Sequence, residues 1–253
     1  MTDQFTSGSL YENEPAPPAP AAAPAARWED FMDIFYAPAS VFARRATSGF
    51  FLPMLVVTVL LAAIFFANRG VLQPVMDGEF ARQSAATMRK NPAITAEQMA
   101  KGRDIGEKFG AIFIVVGTPV VIFFTGIALW LVGKLVEARQ TLAAALMVAS
   151  YAYLPKVLAS IAAGVQGMFM DPAAMNGQFR ISLGVGRFFD PDVASAMLLA
   201  IVGRIDVFTI WVTVLLAIGL SVTGGISRGK AAVAAAIVWC LGALPAVLGA
   251  LGR

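Results

Sequence analysis

The sequence predicts an all-α fold, a polytopic membrane helix bundle of five transmembrane helices with an interfacial helix at its N-terminal end. Three observations predict it. Hydrophobic residues make up 58% of the 253 and charged residues only 14%, against about 25% charged in an ordinary soluble domain. The mean hydropathy is +0.73, so a water-soluble globule of this length would lack the polar covering its surface demands. Uncharged runs close to the roughly 20 residues that cross about 30 Å of hydrocarbon recur along the chain, and inside lipid each must be helical to satisfy its own backbone.

The chain divides into residues 1–26 and a membrane domain over 27–253. Residues 15–26 read PAPPAPAAAPAA; proline at this density disfavours a helix, and such small side chains build no core, so a disordered tail is expected. No basic stretch followed by an apolar core opens the chain, so no secretory leader is expected. Next, Trp28, Phe31, Phe35 and Phe42 fall at helical spacing on one stripe, ending at Arg44 and Arg45. That pattern predicts one helix lying on the membrane surface, with Glu29, Asp30 and Asp33 at its positive end.

Spans are expected over about 50–67, 109–133, 141–170, 207–227 and 231–252. Residues 68–108 read as a polar helical loop broken at Asn91 and Pro92. Its second helix begins with a capping box, Thr95 and Gln98, and runs towards the second span. The segment 171–192 is turn-rich, with Phe179, Phe188 and Phe189 placed to touch the interface. The apolar stretch 193–203 is too short to cross and reads as an interfacial or re-entrant helix. In the fifth span Gly242, Ala246 and Ala250 recur every four residues, a small-residue ridge suited to close helix packing. Pro53, Pro119, Pro155 and Pro245 are expected to kink or loosen four of the five spans.

Chemistry is sparse. The chain has no His and a single cysteine, Cys240, which removes intrachain disulfides, the usual zinc ligand sets and Ser-His or Cys-His pairs. No metal or cofactor is expected. The net charge of +3 comes from scattered basic residues, which argues against a nucleic-acid partner. Lys156 is the one cation placed inside an apolar run, following Pro155, and ionisable groups at membrane depth are costly enough to suggest function. Read that way, it belongs to a polar site with Tyr151 and Tyr153 nearby and Asp206 as counter-ion. Read the other way, the third run is two shorter tilted pieces and Lys156 snorkels to an interface. Capping of the fourth span also accounts for Asp206. Lys134 and Glu137 are spaced to pair on one helix face. Ser227 with Lys230 matches S-x-x-K only weakly, and Gly184 with Gly186 lacks the rest of a nucleotide-binding pattern.

The order of several segments is more informative than any one of them. Pro38-Ala39-Ser40-Val41-Phe42 before the first span, Tyr151-Ala152-Tyr153-Leu154-Pro155 in the third, Asp206-Val207-Phe208-Thr209-Ile210-Trp211 running on to Leu216-Ala217-Ile218-Gly219-Leu220, and 227–231 before the last helix together resemble the signature segments of the YIP-domain family. The likeness runs from about Trp28 to the C-terminus. It implies five spans, a non-enzymatic protein and an N-terminus in the cytosol. The count of basic residues, seven on the N-terminal side against eleven on the other, points the opposite way. Eukaryotic members of that family bind prenylated Rab-type GTPases and assist vesicle transport between endoplasmic reticulum and Golgi; bacterial members look like envelope proteins. The Ala-rich, Cys-poor spans resemble the bacterial branch, so a bacterial inner membrane is the expected location, with the ER or Golgi membrane as the alternative, and small GTPases are expected partners only were the chain eukaryotic. The lipid bilayer and other membrane proteins, or a second copy, are the expected partners, and Tyr151, Pro155, Lys156, Asp206 and Trp211 the candidate binding residues. The alternative function is a small-solute or ion transporter around Lys156.

Overall fold

The computed structural model describes residues 28–251, apart from the side chains of five residues within 107–113. The expected tail, 1–26, lies outside the described residues. Among these residues eleven α-helices run in the order α1 Asp30–Tyr36, α2 Pro38–Arg45, α3 Phe51–Asn68, α4 Gln73–Lys90, α5 Ala96–Leu135, α6 Leu142–Ala152, α7 Leu154–Phe169, α8 Ala196–Val202, α9 Val207–Gly224, α10 Arg228–Leu241 and α11 Leu244–Leu251. No strand occurs among the described residues beyond an isolated bridge between Gly184 and Asp206. Among the described residues five helical stretches are long and apolar enough to cross a membrane: Phe51–Asn68, Ile114–Leu135, Leu142–Phe169, Val207–Gly224 and Arg228–Leu251. The protein is an integral membrane protein built as an all-α bundle.

The third span is the central post. It is 67% buried, where the first and second are 22% and 17% buried. Every residue from Ala144 to Ala152 is enclosed, and α3, α5 and α9 pack around this half of the span. Glycines let the neighbours close in. A Cβ added at Gly219 of α9 would sit 2.3 Å from Val148, and one at Gly126 of α5 would sit 2.6 Å from Leu146. Small residues at such crossings gain van der Waals contact that lipid cannot better.

Two of the expected kinks are complete breaks. The third span divides at Tyr153 into α6 and α7, and the fifth at 242–243 into α10 and α11. Pro155 and Pro245 each stand second in the helix that follows, where the missing N–H forfeits no intrahelical bond. Pro119 lies inside an uninterrupted α5. That helix opens on the full Thr95–Gln98 capping box, and its 40 residues extend about 60 Å, so its first half projects from the bundle. There it joins α4, α8 and the irregular stretch 170–195 in a cap over one face. Val75, Met175 and Ile181 form a small second core in this cap. Call this the far face; the loops 136–141 and 225–227 lie at the near face, where Glu137 receives a 2.6 Å hydrogen bond from Lys230 Nζ. That bond holds the Glu137 carboxyl below its ordinary pKa. Lys134, expected to pair with Glu137, instead lies 5.6 Å over the Trp130 ring.

The predicted surface helix differs most. It is two helices, broken at Ala37 because Pro38 cannot continue α1 and starts α2 instead. Their aromatic stripe turns into the protein: Phe42 is fully buried, Phe31 lies 5.6 Å from the Tyr151 ring and Phe35 5.4 Å from Trp211. Only Trp28 of the four faces outward.

Candidate functional site

The break at Tyr153 positions the polar site. By ending α6 and restarting as α7, the chain places Lys156 in a first helical turn, pointing across at the first turn of α9. Its Nζ donates to Thr209 Oγ1 at 2.7 Å and lies 3.9 Å from Asp206 Oδ1. Asp206 is at the same time the N-cap of α9, its Oδ1 accepting from the backbone N–H groups of Phe208 at 3.0 Å and Thr209 at 3.2 Å. A carboxylate there is favoured by the positive end of the helix, and the ammonium adds to that field. Counter-ion and cap, the two sequence readings of Asp206, are therefore both realised.

These groups open into a cleft of about 430 Å³ on the far face, between α7, α9 and the stretch 178–183, with Leu61 of α3 at its side. Its wall is closed by Gln166, which donates to the Ile181 carbonyl at 3.0 Å. Lys156 keeps 31% of its side-chain surface exposed and Asp206 12%. The arrangement brings an amine, a hydroxyl and a carboxylate together at the cleft. Among the described residues no cluster of acidic, His or Cys side chains is arranged to hold a metal.

The five candidate binding residues split. Lys156 and Asp206 meet, and Pro155 starts the helix that carries Lys156. Tyr151 and Trp211 instead pack against α1, away from the cleft. The ridge residues split as well. Gly242 caps α10 and admits the guanidinium of Arg204, which would stand 2.8 Å from a Cβ there. Arg204 donates to the Trp239 carbonyl at 2.9 Å and lies over the Trp239 ring. Ala246 and Ala250 line a separate cleft against α4 and α8. Sequence reasoning missed Thr209, although its place three residues after an N-cap aspartate marks it as part of the cap. It also missed Thr125, 3.0 Å from the Tyr153 hydroxyl, because nothing local announces a contact between distant spans. Ser227 proves to be an N-cap, accepting from the Lys230 N–H, which accounts for the S-x-x-K spacing without catalysis.

The segments that carry the family likeness meet in space. Phe42 and Val41 of α2, Tyr151 and Ala152 of α6, and Leu216 and Leu220 of α9 share one buried cluster, with Trp211 packed against it. Residues 32–249 match the Yip1 domain, a range that begins inside α1 and ends inside α11. The chain belongs to the Yip1 family. No curated protein and no solved structure matches it.

Proposed function

We propose that this protein is a non-enzymatic member of its family that acts by organising the bilayer and contacting other membrane proteins, in a bacterial inner membrane with its N-terminus in the cytoplasm. The carrying observation is that the large residues of the family's segments build the core: Phe42, Tyr151 and Trp211 hold α1 and α2 to α6 and α9, while of those segments Asp206, Phe208 and Thr209 reach the cleft. A protein whose distinctive residues build shape is read by its surface, which in the membrane means lipid and neighbouring helices. Small GTPases enter as partners only if the host is eukaryotic.

The Lys156 cleft supports a second reading, a carrier for a small polar solute, because three complementary polar groups face it. One reconstitution separates the two. Purified protein in phospholipid vesicles is expected to alter vesicle size and shape by electron microscopy, to do so equally with Lys156→Leu, and to give no saturable uptake of labelled amino acids. Saturable uptake abolished by Lys156→Leu would replace the first reading with the second.

A further inference from the structure

Residues 28–45 are tied together at their base by ion pairs. Asp30, fully buried, accepts from Arg44 Nη2 at 2.6 Å and from Arg45 Nε at 2.5 Å, and Arg44 also reaches Asp33 at 2.7 Å. The start of α1 is thereby tied to the end of α2, so the two helices run antiparallel and turn at Ala37. Residues 46–50 then lead at once into α3, whose Phe51 end lies at the near face because its other end, Asn68, bonds the Ser160 carbonyl of α7 towards the far face. The charged base is therefore the end of the hairpin nearer the near face.

The rest of the hairpin climbs. Phe31, next to the base, meets Tyr151, nine residues into α6 and so about 14 Å from its near-face end. Phe35, close to the tip, meets Trp211, only four residues from the far-face end of α9 and about 20 Å from its near-face end. A helix lying flat on the membrane surface could not touch both. The tip chemistry agrees with depth. From Ile34 to Ala43 no residue is charged. The Ala37 N–H donates to the Asp33 carbonyl at 2.7 Å, the Ala37 carbonyl accepts from Ser40 and Val41, and Pro38 brings no N–H at all. A turn inside hydrocarbon has to hide its backbone in this way.

We infer that α1 and α2 form a re-entrant hairpin sunk into the bilayer from the near face, its ion-paired base below that face and its tip past mid-depth, with acyl chains against its outer side. The outer side carries Trp28, Met32 and Tyr36, exposed by 68%, 55% and 81% and spaced four apart on a single face. On α9, the helix α2 packs on, Ile210 and Val214 are also about half exposed. Because the hairpin does not cross, it adds the cross-section of two helices over only part of the bilayer's depth. This placement requires a bilayer-embedded chain but not the bilayer-organising role, which the vesicle-shape measurement tests separately.

The experiment measures depth. In the full chain with Cys240→Ser, single cysteines are introduced as Tyr36→Cys, Ala39→Cys and Thr47→Cys, labelled with a fluorophore and reconstituted in phosphatidylcholine vesicles carrying bromine either at mid-chain or near the headgroup. Labels at 36 and 39 are expected to be quenched several-fold more by mid-chain than by headgroup bromines, and the label at 47 in the reverse order. Having two tip positions guards against one substitution disturbing the fold. Labels at 36 and 39 that follow the one at 47, or that aqueous iodide quenches freely, overturn the proposal and leave the hairpin flat on the surface or in water.

Discussion

The buried half of the third span and the cap on the far face are held together by opposite means. Around α6, contact is made by shape: Val148 and Leu146 fill the places that side chains on Gly219 and Gly126 would take, and Tyr151 is covered by Phe31. In the cap, charge does the joining. Arg82 of α4 bonds Asp192 at 2.9 Å, Asn176 donates to the same carboxylate at 2.9 Å, Glu79 accepts from the Gln178 N–H, and Asp77 pairs with Arg103 across α4 and α5. The difference follows from the solvent. Within hydrocarbon an ion pair costs its desolvation and apolar burial gains little over lipid, so close packing is what distinguishes one helix arrangement from another. In water, ion pairs are cheap to make and individually weak. The two regions should therefore fail under different stresses.

Breaking the packed half is expected to have the largest effect. Gly219→Leu forces a branched side chain into the position of the Val148 methyls, and overpacking of this kind costs about 3 kcal/mol. Thermal unfolding in mild detergent should fall by several degrees in all probes at once, since α9 and α6 lose their contact together. Gly219→Ala, whose single added Cβ would still press on Val148, should fall between Leu and the parent. An unchanged melting temperature for Gly219→Leu would show that α6 and α9 are not tightly packed.

The hairpin tests the comparison from the middle, because it is packed along its length and charged at its base. Asp30→Asn removes the charge that Arg44 and Arg45 share while nearly preserving volume. Loss of charge-assisted bonds at a buried carboxylate is worth about 2 kcal/mol, although Asp33 remains to Arg44. Protease susceptibility at 44–50 should rise in reconstituted vesicles, while the far-face cap keeps its parental protection. Equal loosening of both regions would mean that the hairpin and cap are coupled through the bundle.

How much of this was legible in the sequence follows the same division. The five crossings could be counted because lipid imposes length and apolarity on each run by itself. The capping box at Thr95 was readable for the same reason: its partners are three residues apart. Lys156 and Asp206 could be paired because a cation and an acid at membrane depth have few alternatives. The inward turn of the hairpin was not readable. A stripe of Phe31, Phe35 and Phe42 is equally suited to lipid and to a bundle, and periodicity reports that a face is apolar without reporting what covers it. Pro38 was the available signal for two helices in place of one, since a proline in the interior of a helix breaks it. The splitting of Tyr151 and Trp211 from Lys156 was likewise beyond spacing, because it depends on which way helices far apart in the chain rotate about their axes.

The smallest effect is expected in the cap, and it depends on pH and salt. Hydrogen bonds from Arg82 and Asn176 hold the Asp192 carboxyl below its ordinary pKa. A depressed carboxylate pKa contributes stability that is complete above the unfolded value and is lost as pH falls through the folded one, which places the loss below about pH 4. Because the pair is exposed, the change is local. Hydrogen exchange in 176–192 should accelerate on acidification or in high salt, while amides of α6 stay protected. Arg82→Gln should remove most of the acid dependence and leave the neutral-pH melting temperature nearly unchanged. If α6 instead opened in step with the cap as the pH fell, ion pairing on the far face would be holding the bundle closed, and the separation of the two regions by mechanism would be wrong.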